Sequence, residues 1–352
     1  MQADAHQRVL VVNAGSTSLK LSVVAGDDTS EPVPSLQDAP PDVIAVAHRV
    51  VHGGARFREP VAVDDAIEGE LRALTELAPL HNAPAVAAIE DARRILSTIP
   101  HVAVFDTAFH ATLPAEASAF AVPRRWREEW GIRRYGFHGL SVQWAAEQVR
   151  APKLVVCHLG GGCSVTAVLA GRSVDTTMGF SPLDGVPMAT RSGSIDPEIP
   201  LHLLRTRLLG IEELEHDLEY ESGLLGLSGR SQRYEELQRA DDPQSRLALA
   251  VFTRRVAGAV AAMAASLGGL DALVFTAGIG ENSAAARADI CARLGFLGVA
   301  LDRDRNVTAR PDAEIAAHGA AVRVVVLRAR EDVVAARAAR ASVVAATTER
   351  GA

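Results

Sequence analysis

Apolar residues gather in short runs, and small polar residues close each run. Val9–Asn13 is such a run, followed by AGSTS and then LKLSVV at 19–24. This pattern predicts strand, tight loop, strand. Residues 154–171 repeat it as LVVCH, LGGGCS and VTAVLAG, aligning with the first copy through one inserted residue. Further runs are HVAVFDTAFH at 101–110, DALVFTAGIGEN at 271–282 and VRVVVLRARED at 322–332; an Ala-rich helical pattern follows each of the last two. Helical periodicity marks 66–78, 84–97, 140–149, 197–208, 244–267 and 283–294. The Pro/Asp/Ser-rich stretch Gly26–Pro41 predicts a surface loop. Strands alternating with helices predict an α/β architecture. The internal similarity suggests a duplicated α/β domain with a site between its halves. At about 150 residues per domain, 352 residues fit two domains.

Composition narrows the function classes. Aromatics are only 4% of the chain, so a core must rest on Ala, Val and Leu. The net charge is −7 and no basic stripe stands out, so neither nucleic acid nor a membrane is an expected partner. Three cysteines (Cys157, Cys163 and Cys291), without a CxxC pair, point to a reducing compartment and away from zinc. The N-terminal MQADAHQ lacks the pattern of a signal peptide, so the expected location is cytoplasmic. Leu247–Leu270 is long and apolar but contains Arg254 and Arg255, so it reads as a buried helix rather than a membrane span. Among 36 basic residues only Lys20 and Lys153 are lysines, and Lys20 closes a Gly/Ser loop.

The chemistry-bearing segments are small and mostly glycine-rich. NAGSTSLK at 13–20 can cradle a phosphate through clustered N–H groups, hydroxyls and one ammonium, or be a plain hairpin turn. It is not a Walker A loop. LGGGCS at 159–164 is a second cradle or a second turn. Arg49 in HRVVHGG and Arg191 in TRSGSIDP offer planar forks for a carboxylate and a phosphoryl group, or structural ion pairs. Asp106 stands at the C-terminal end of a strand, where α/β sites lie, or caps a helix. His138 in YGFHG and His81 in LHN read as packed, capping or functional imidazoles. ESGLLGLSG at 221–229 and TAGIGENS at 276–283 are turns that could approach a nucleotide. Glu331 and Asp332 are candidate magnesium ligands through water, or dipole partners of a helix start.

Taken in order, NAGSTSLK, HRVVHGG, LAPLHN, VFDTAFH, YGFHG, HLGGG, DTTMGFSPLDG, TRSGSIDP, SGLLGLSG and FTAGIGENS resemble the acetate kinase (acetokinase) family of the actin-like sugar kinase and ATPase superfamily. The resemblance runs from residue 11 to about 337. It implies duplicated actin-like (ribonuclease H-like) α/β domains with an interdomain cleft. One domain would be 1–107 plus 332–352, with the C-terminal segment returning to it. The other, 108–331, would carry the nucleotide site. The implied reaction is reversible, magnesium-dependent phosphoryl transfer between ATP and acetate, giving ADP and acetyl phosphate, in a homodimer that can also accept propionate. Carried over by position, the resemblance gives Asp106, His138, Arg191 and Arg49 as catalytic residues, with His138 and Arg191 stabilising the transition state. Arg49, Val51, Leu80, Phe137 and Pro182 bind the carboxylate substrate, and His81 is a lesser candidate. Ser16, Ser18, Lys20, His158, Gly160, Gly161, Gly162, Gly278, Ile279, Gly280 and Asn282 bind phosphate and nucleotide, and Asn13 and Glu331 hold magnesium. A carboxylate acceptor is ionised at pH 7, so no general base is required.

The chain departs from the family at several points. The stretch 21–47 is short. Gly161, Val142 and Ser194 replace an Asn, a His and an Asp, and Arg233 and Glu235 stand where the family has an Asp and an Arg. These changes keep two alternatives open: another donor, such as a different nucleoside triphosphate or pyrophosphate, or a non-catalytic sensor of nucleotide or acyl phosphate.

Overall fold

A computed structural model of the chain describes residues 7–15, 19–77, 79–240 and 242–350. Strands β1 (Arg8–Ala14), β2 (Leu19–Val24), β3 (Ser30–Pro32), β4 (Val43–Val50), β5 (Val61–Ala62) and β6 (His101–Phe105) form one sheet. Strands β7 (Lys153–Leu159), β8 (Cys163–Leu169), β9 (Arg172–Thr176), β10 (Ala272–Thr276), β11 (Ala313–Glu314) and β12 (Arg323–Val326) form the other. The orders are β3-β2-β1-β4-β6-β5 and β11-β12-β10-β7-β8-β9. In each sheet an antiparallel meander continues through its first strand into two parallel strands, and a short antiparallel strand closes that edge. The two sheets therefore repeat one topology, as the internal similarity suggested.

The central strands are buried on both faces, so they appear in the sequence as continuous apolar runs rather than alternating ones. Every residue of β6 and of β10 is buried. Helices lie at Asp65–Ala73, Pro79–Ile95, Gly139–Val149, Glu198–Arg205, Pro243–Leu267 and Ala284–Cys291, within a few residues of the periodic segments. The stretch read as a loop at 26–41 contains β3, an edge strand pairing with β2 and ending at Pro32, a position open to proline because that edge needs no N–H.

The chain packs as two units: Met1–Ala111 with Phe137–Trp144 and Arg330–Ala352, and Thr112–Gly136 with Ala145–Ala329. The first includes 137–144, which the sequence reading had grouped with 108–331. There the His110 Nε2 lies 2.9 Å from the Phe137 carbonyl oxygen. The Gly139 N–H donates to the Asp106 carbonyl at 2.9 Å. The C-terminal helix Glu331–Arg350 packs on β1, β4 and β6 through Ala335, Ala336 and Ala339, all fully buried. Arg340 on the same helix donates to the Gln7 and Ala25 carbonyls at 3.1 and 3.0 Å.

In the second unit, among the described residues, Pro243–Leu267 is long and apolar enough to cross a membrane. Phe252, Val256, Val260 and Met263 are nevertheless buried, and the helix packs on β7 and β8. Asp242 caps its start through the Gln244 and Ser245 N–H groups, and Gly268 ends it at φ +64.

Candidate functional site

In the first unit the parallel run β1-β4-β6 brings three distant residues to neighbouring strand ends. Asn13 pairs in register with Arg49, and Asp106 follows the last residue of β6. The C-terminal ends of parallel strands are where open α/β sheets bind ligands. The Arg49 Nε donates to Asp106 Oδ1 at 3.0 Å and its Nη2 to Oδ2 at 2.6 Å, a two-pronged pair. Its Nη1 lies 2.7 Å from Glu331 Oε2 and 3.3 Å from Asn13 Oδ1. The Asp106 side chain is 1% exposed, and those of Arg49 and Glu331 are 17% and 16% exposed. Burial opposes the charge on Arg49, but Asp106 and Glu331 more than offset it and hold the guanidinium above its ordinary range. Burial pushes the Glu331 carboxyl up; Arg49 opposes this, while Asp106 and Asp332 add to it. One guanidinium thus faces two carboxylates, Asp106 buried and Glu331 half-buried.

His138 precedes the helix Gly139–Val149 in the left-handed region at φ +59, a conformation that His adopts more readily than most residues. A Cβ at position 139 would come within 2.1 Å of the Asp106 carbonyl oxygen, so Gly139 lets His138 and Asp106 share one corner. Phe137 is 1% exposed and meets the His52 ring edge-on at 5.3 Å. Val51 is partly exposed, and Lys20 is exposed opposite Asn13 in the β1–β2 register. Ser16 and Ser18 lie outside the described residues, as do the side chains of Leu80 and His81.

In the second unit β7 takes the place in its sheet that β1 takes in the first. His158 is 8% exposed and pairs in register with Ser164 and Thr276. The Gly160 N–H donates to the Gly162 carbonyl at 3.0 Å, and a Cβ at 160 would sit 3.5 Å from the Ala277 Cβ. The glycine loop therefore lies against the turn that carries Gly278. Gly161 has open space in its Cβ direction. Gly278 and Asn282 are exposed, and Ile279 and Gly280 are buried. The Asn282 Nδ2 donates to the Gly278 carbonyl at 2.8 Å. The Arg191 Nε lies 2.9 Å from Glu219 Oε2, and its Nη1 lies 3.5 Å from the Pro182 carbonyl. Ser194 donates to Asp184 Oδ1 at 2.5 Å, so the departure at 194 is tied into the loop. The Arg233 side chain is 70% exposed, with its Nε 3.4 Å from Glu236. Val142 is fully buried, which suits its apolar side chain.

Sequence reasoning missed three residues that hold these segments. Glu219 meets Arg191. Glu281 Oε1 accepts from the Ala277 and Ala329 N–H groups at 3.0 and 2.9 Å. Arg287, 2% exposed, donates to the Gly280 and Glu281 carbonyls, each at 2.9 Å, and to the side chain and carbonyl of Asn306. Glu281 stands inside GIGEN and was open to notice. Arg287 breaks the buried stripe of Ala286, Ile290 and Cys291, which is a signal in itself. Glu219 has no comparable local mark.

The imidazoles of His48, His101 and His110 are buried in the first unit. The His48 Nε2 lies 2.9 Å from the His101 Nδ1, the rings stack at 5.2 Å, and the His101 Nε2 is 3.2 Å from the Leu96 carbonyl. These contacts fit two neutral rings, with His101 donating to Leu96 and His48 donating to His101. Burial lowers His48 to about 3 and His110 to about 4, and it lowers His101 as well. Unfolded histidines titrate near 6.5, so below that pH the unfolded chain binds protons that the native protein does not. Stability is therefore full above pH 6.5 and falls progressively towards about 4 and about 3. The denaturant midpoint is expected to be lower at pH 5 than at pH 7.5, with a shallower difference in His110→Gln; equal wild-type midpoints would exclude this linkage.

Two α/β sheets of one strand order, with an arginine held by a carboxylate in each unit, define an actin-like fold. A family model described as the Acetokinase family matches residues 31–337. The acetate kinase of Gloeobacter violaceus is 46% identical over 305 residues, covering 83% of this chain and 75% of that protein. The acetate kinase of Clavibacter michiganensis is 45% identical over 323 residues, covering 88% and 81%. A propionate kinase structure from Francisella tularensis superposes with a TM-score of 0.89 at 32% identity, covering 95% of this chain and 99% of that one. The acetate kinase structure from Porphyromonas gingivalis gives 0.85 at 28% identity, covering 95% and 99%. The chain belongs to the acetokinase family, enzymes that transfer a phosphoryl group to a carboxyl acceptor.

Proposed function

We propose that this enzyme carries a phosphoryl group reversibly between ATP and acetate, forming ADP and acetyl phosphate, with propionate as a second acceptor. The observation that carries the reading is the half-buried Arg49, held by Asp106 and Glu331 beside Asn13 at adjoining strand ends. Carboxylate and nucleotide are both anions, so catalysis is mainly positioning and charge neutralisation. In this reading Arg49, oriented by Asp106, binds the carboxylate, while Val51, Leu80, Phe137 and Pro182 pack against its short alkyl end. Arg191 and His138 donate to the phosphoryl oxygens as charge spreads over them. The 13–20 loop with Ser16, Ser18 and Lys20, together with His158 and Gly160–Gly162, holds phosphates. Gly278, Ile279, Gly280 and Asn282 take the nucleoside, so the unit containing β7–β12 carries the nucleotide.

Magnesium fits the first cluster. Asp106, Glu331 and the Asn13 amide offer hard oxygen donors close to one another. Mg²⁺ is commonly held by one or two carboxylates, with waters and substrate phosphates completing the shell. When bound by Glu331 and Asn13, it would neutralise charge on the transferring group. The enzyme is further assigned to the cytoplasm and to a homodimer.

A panel of donors and carboxylates, read as trapped acyl phosphate, tests the assignment. ATP with acetate is expected to give the highest turnover. Propionate is expected within about 10–200-fold of acetate, the range one methylene allows in an apolar pocket. Preference for pyrophosphate or another nucleotide overturns the donor, and absence of acyl phosphate with every pair overturns the enzymatic reading.

A further inference from the structure

The segment carrying Arg191 is stitched to residues 218–225. The Ser192 N–H donates to the Leu218 carbonyl at 3.2 Å and Ser222 N–H to Thr190 at 2.8 Å. Leu224 N–H and Leu225 N–H donate to Met188 and Ala189 at 2.9 and 3.0 Å. Gly223, at φ +62, makes the approach possible, because a Cβ there would come within 2.3 Å of the Met188 carbonyl oxygen. These bonds fix the backbone of Arg191 but not the direction of its long side chain. The Glu219 carboxylate holds its Nε edge, with Oε2 2.9 Å from the Arg191 Nε, while Nη1 lies 3.5 Å from the Pro182 carbonyl oxygen and 3.8 Å from the Met188 Sδ. Its own backbone is anchored to the same segment, since the Thr190 hydroxyl donates to the Glu219 carbonyl at 2.7 Å.

Nothing in its own helix calls for a carboxylate at 219. The residue lies in the last turn of the helix Ile211–Tyr220, a turn without a basic residue. The negative end of the helix dipole disfavours an acid there. The side chain is 12% exposed, so water relieves only part of that cost. Its stabilising partner is Arg191. Asp106 stands to Arg49 in the same way, so each candidate arginine is held by its own carboxylate.

We propose that Glu219 is a positioning residue: by accepting from the Arg191 Nε–H it aims the Nη groups of Arg191 at the anion they bind. The inference rests on the reading of Arg191 as an anion ligand. It also gives Glu219 a second effect, because a carboxylate beside the guanidinium weakens ground-state binding of an anion. Glutamine at this position keeps an oxygen acceptor and loses the charge, so it separates the two effects.

The test is steady-state kinetics of Glu219→Ala, Glu219→Gln and Arg191→Ala. Glu219→Ala is expected to lower kcat about 10–100-fold by misaiming Arg191, with Glu219→Gln recovering to within about threefold of wild type. The KM for the phosphoryl donor in Glu219→Gln is expected not to rise. Wild-type kcat and KM in Glu219→Ala, or Glu219→Gln as impaired as Glu219→Ala, overturns the inference. Lost turnover in Arg191→Ala beside a normal Glu219→Ala overturns this inference alone. Unchanged turnover in both variants overturns the reading of Arg191 with it.

Discussion

Arg49→Ala is expected to lose both activity and stability, the largest combined effect of any single change at the site. The guanidinium is the cation between Asp106 and Glu331, and Asp106 is almost wholly buried. Removing one partner of a buried ion pair strands the other, at a cost of about 3–5 kcal/mol. Loss of one preorganised charge donor costs turnover about 10²–10³-fold. Arg49→Lys keeps the charge but not the fork that meets both oxygens of Asp106, so it is expected to regain stability ahead of activity. Urea unfolding and kcat/KM measured on the same preparations check this. A fully active Arg49→Ala enzyme would remove Arg49 from the site.

Arg191→Ala is expected to separate the two effects. Its side chain is 20% exposed and its pair with Glu219 is partly solvated, so the stability change is expected to stay within about 1 kcal/mol. If Arg191 meets the phosphoryl oxygens, turnover falls about 10²–10³-fold while the urea midpoint holds. A collapse in stability with modest kinetic loss would instead make Arg191 a structural brace for the 188–192 segment.

Much of this was legible because the central strands are short, apolar and closed by loops of unusual composition. The repeat of 154–171 on the first hairpin became two sheets of one topology. Arg49 and Asp106 each stood at the end of an apolar run, and adjacent parallel strands bring such ends together. What stayed hidden depends on packing between distant segments. The Arg191–Glu219 pair follows no helical or cross-strand spacing, so no periodicity marks it. The excursion of 137–144 into the first unit rests on the Gly139 contact with Asp106, a backbone approach that shows in sequence only as a glycine. The His48–His101 stack joins β4 to the start of β6, and each histidine alone reads as one more polar residue beside a strand. The edge strand β3 was masked by its own proline and glutamate.

The central claim is phosphoryl transfer to a small carboxylate. Its most direct measurement incubates the enzyme with ATP, Mg²⁺, acetate and hydroxylamine, and follows ADP and acetohydroxamate together. One ADP for each hydroxamate, with both lost in Arg49→Ala, is the result expected. ADP without hydroxamate, release of AMP and pyrophosphate, or no turnover with any carboxylate would contradict it.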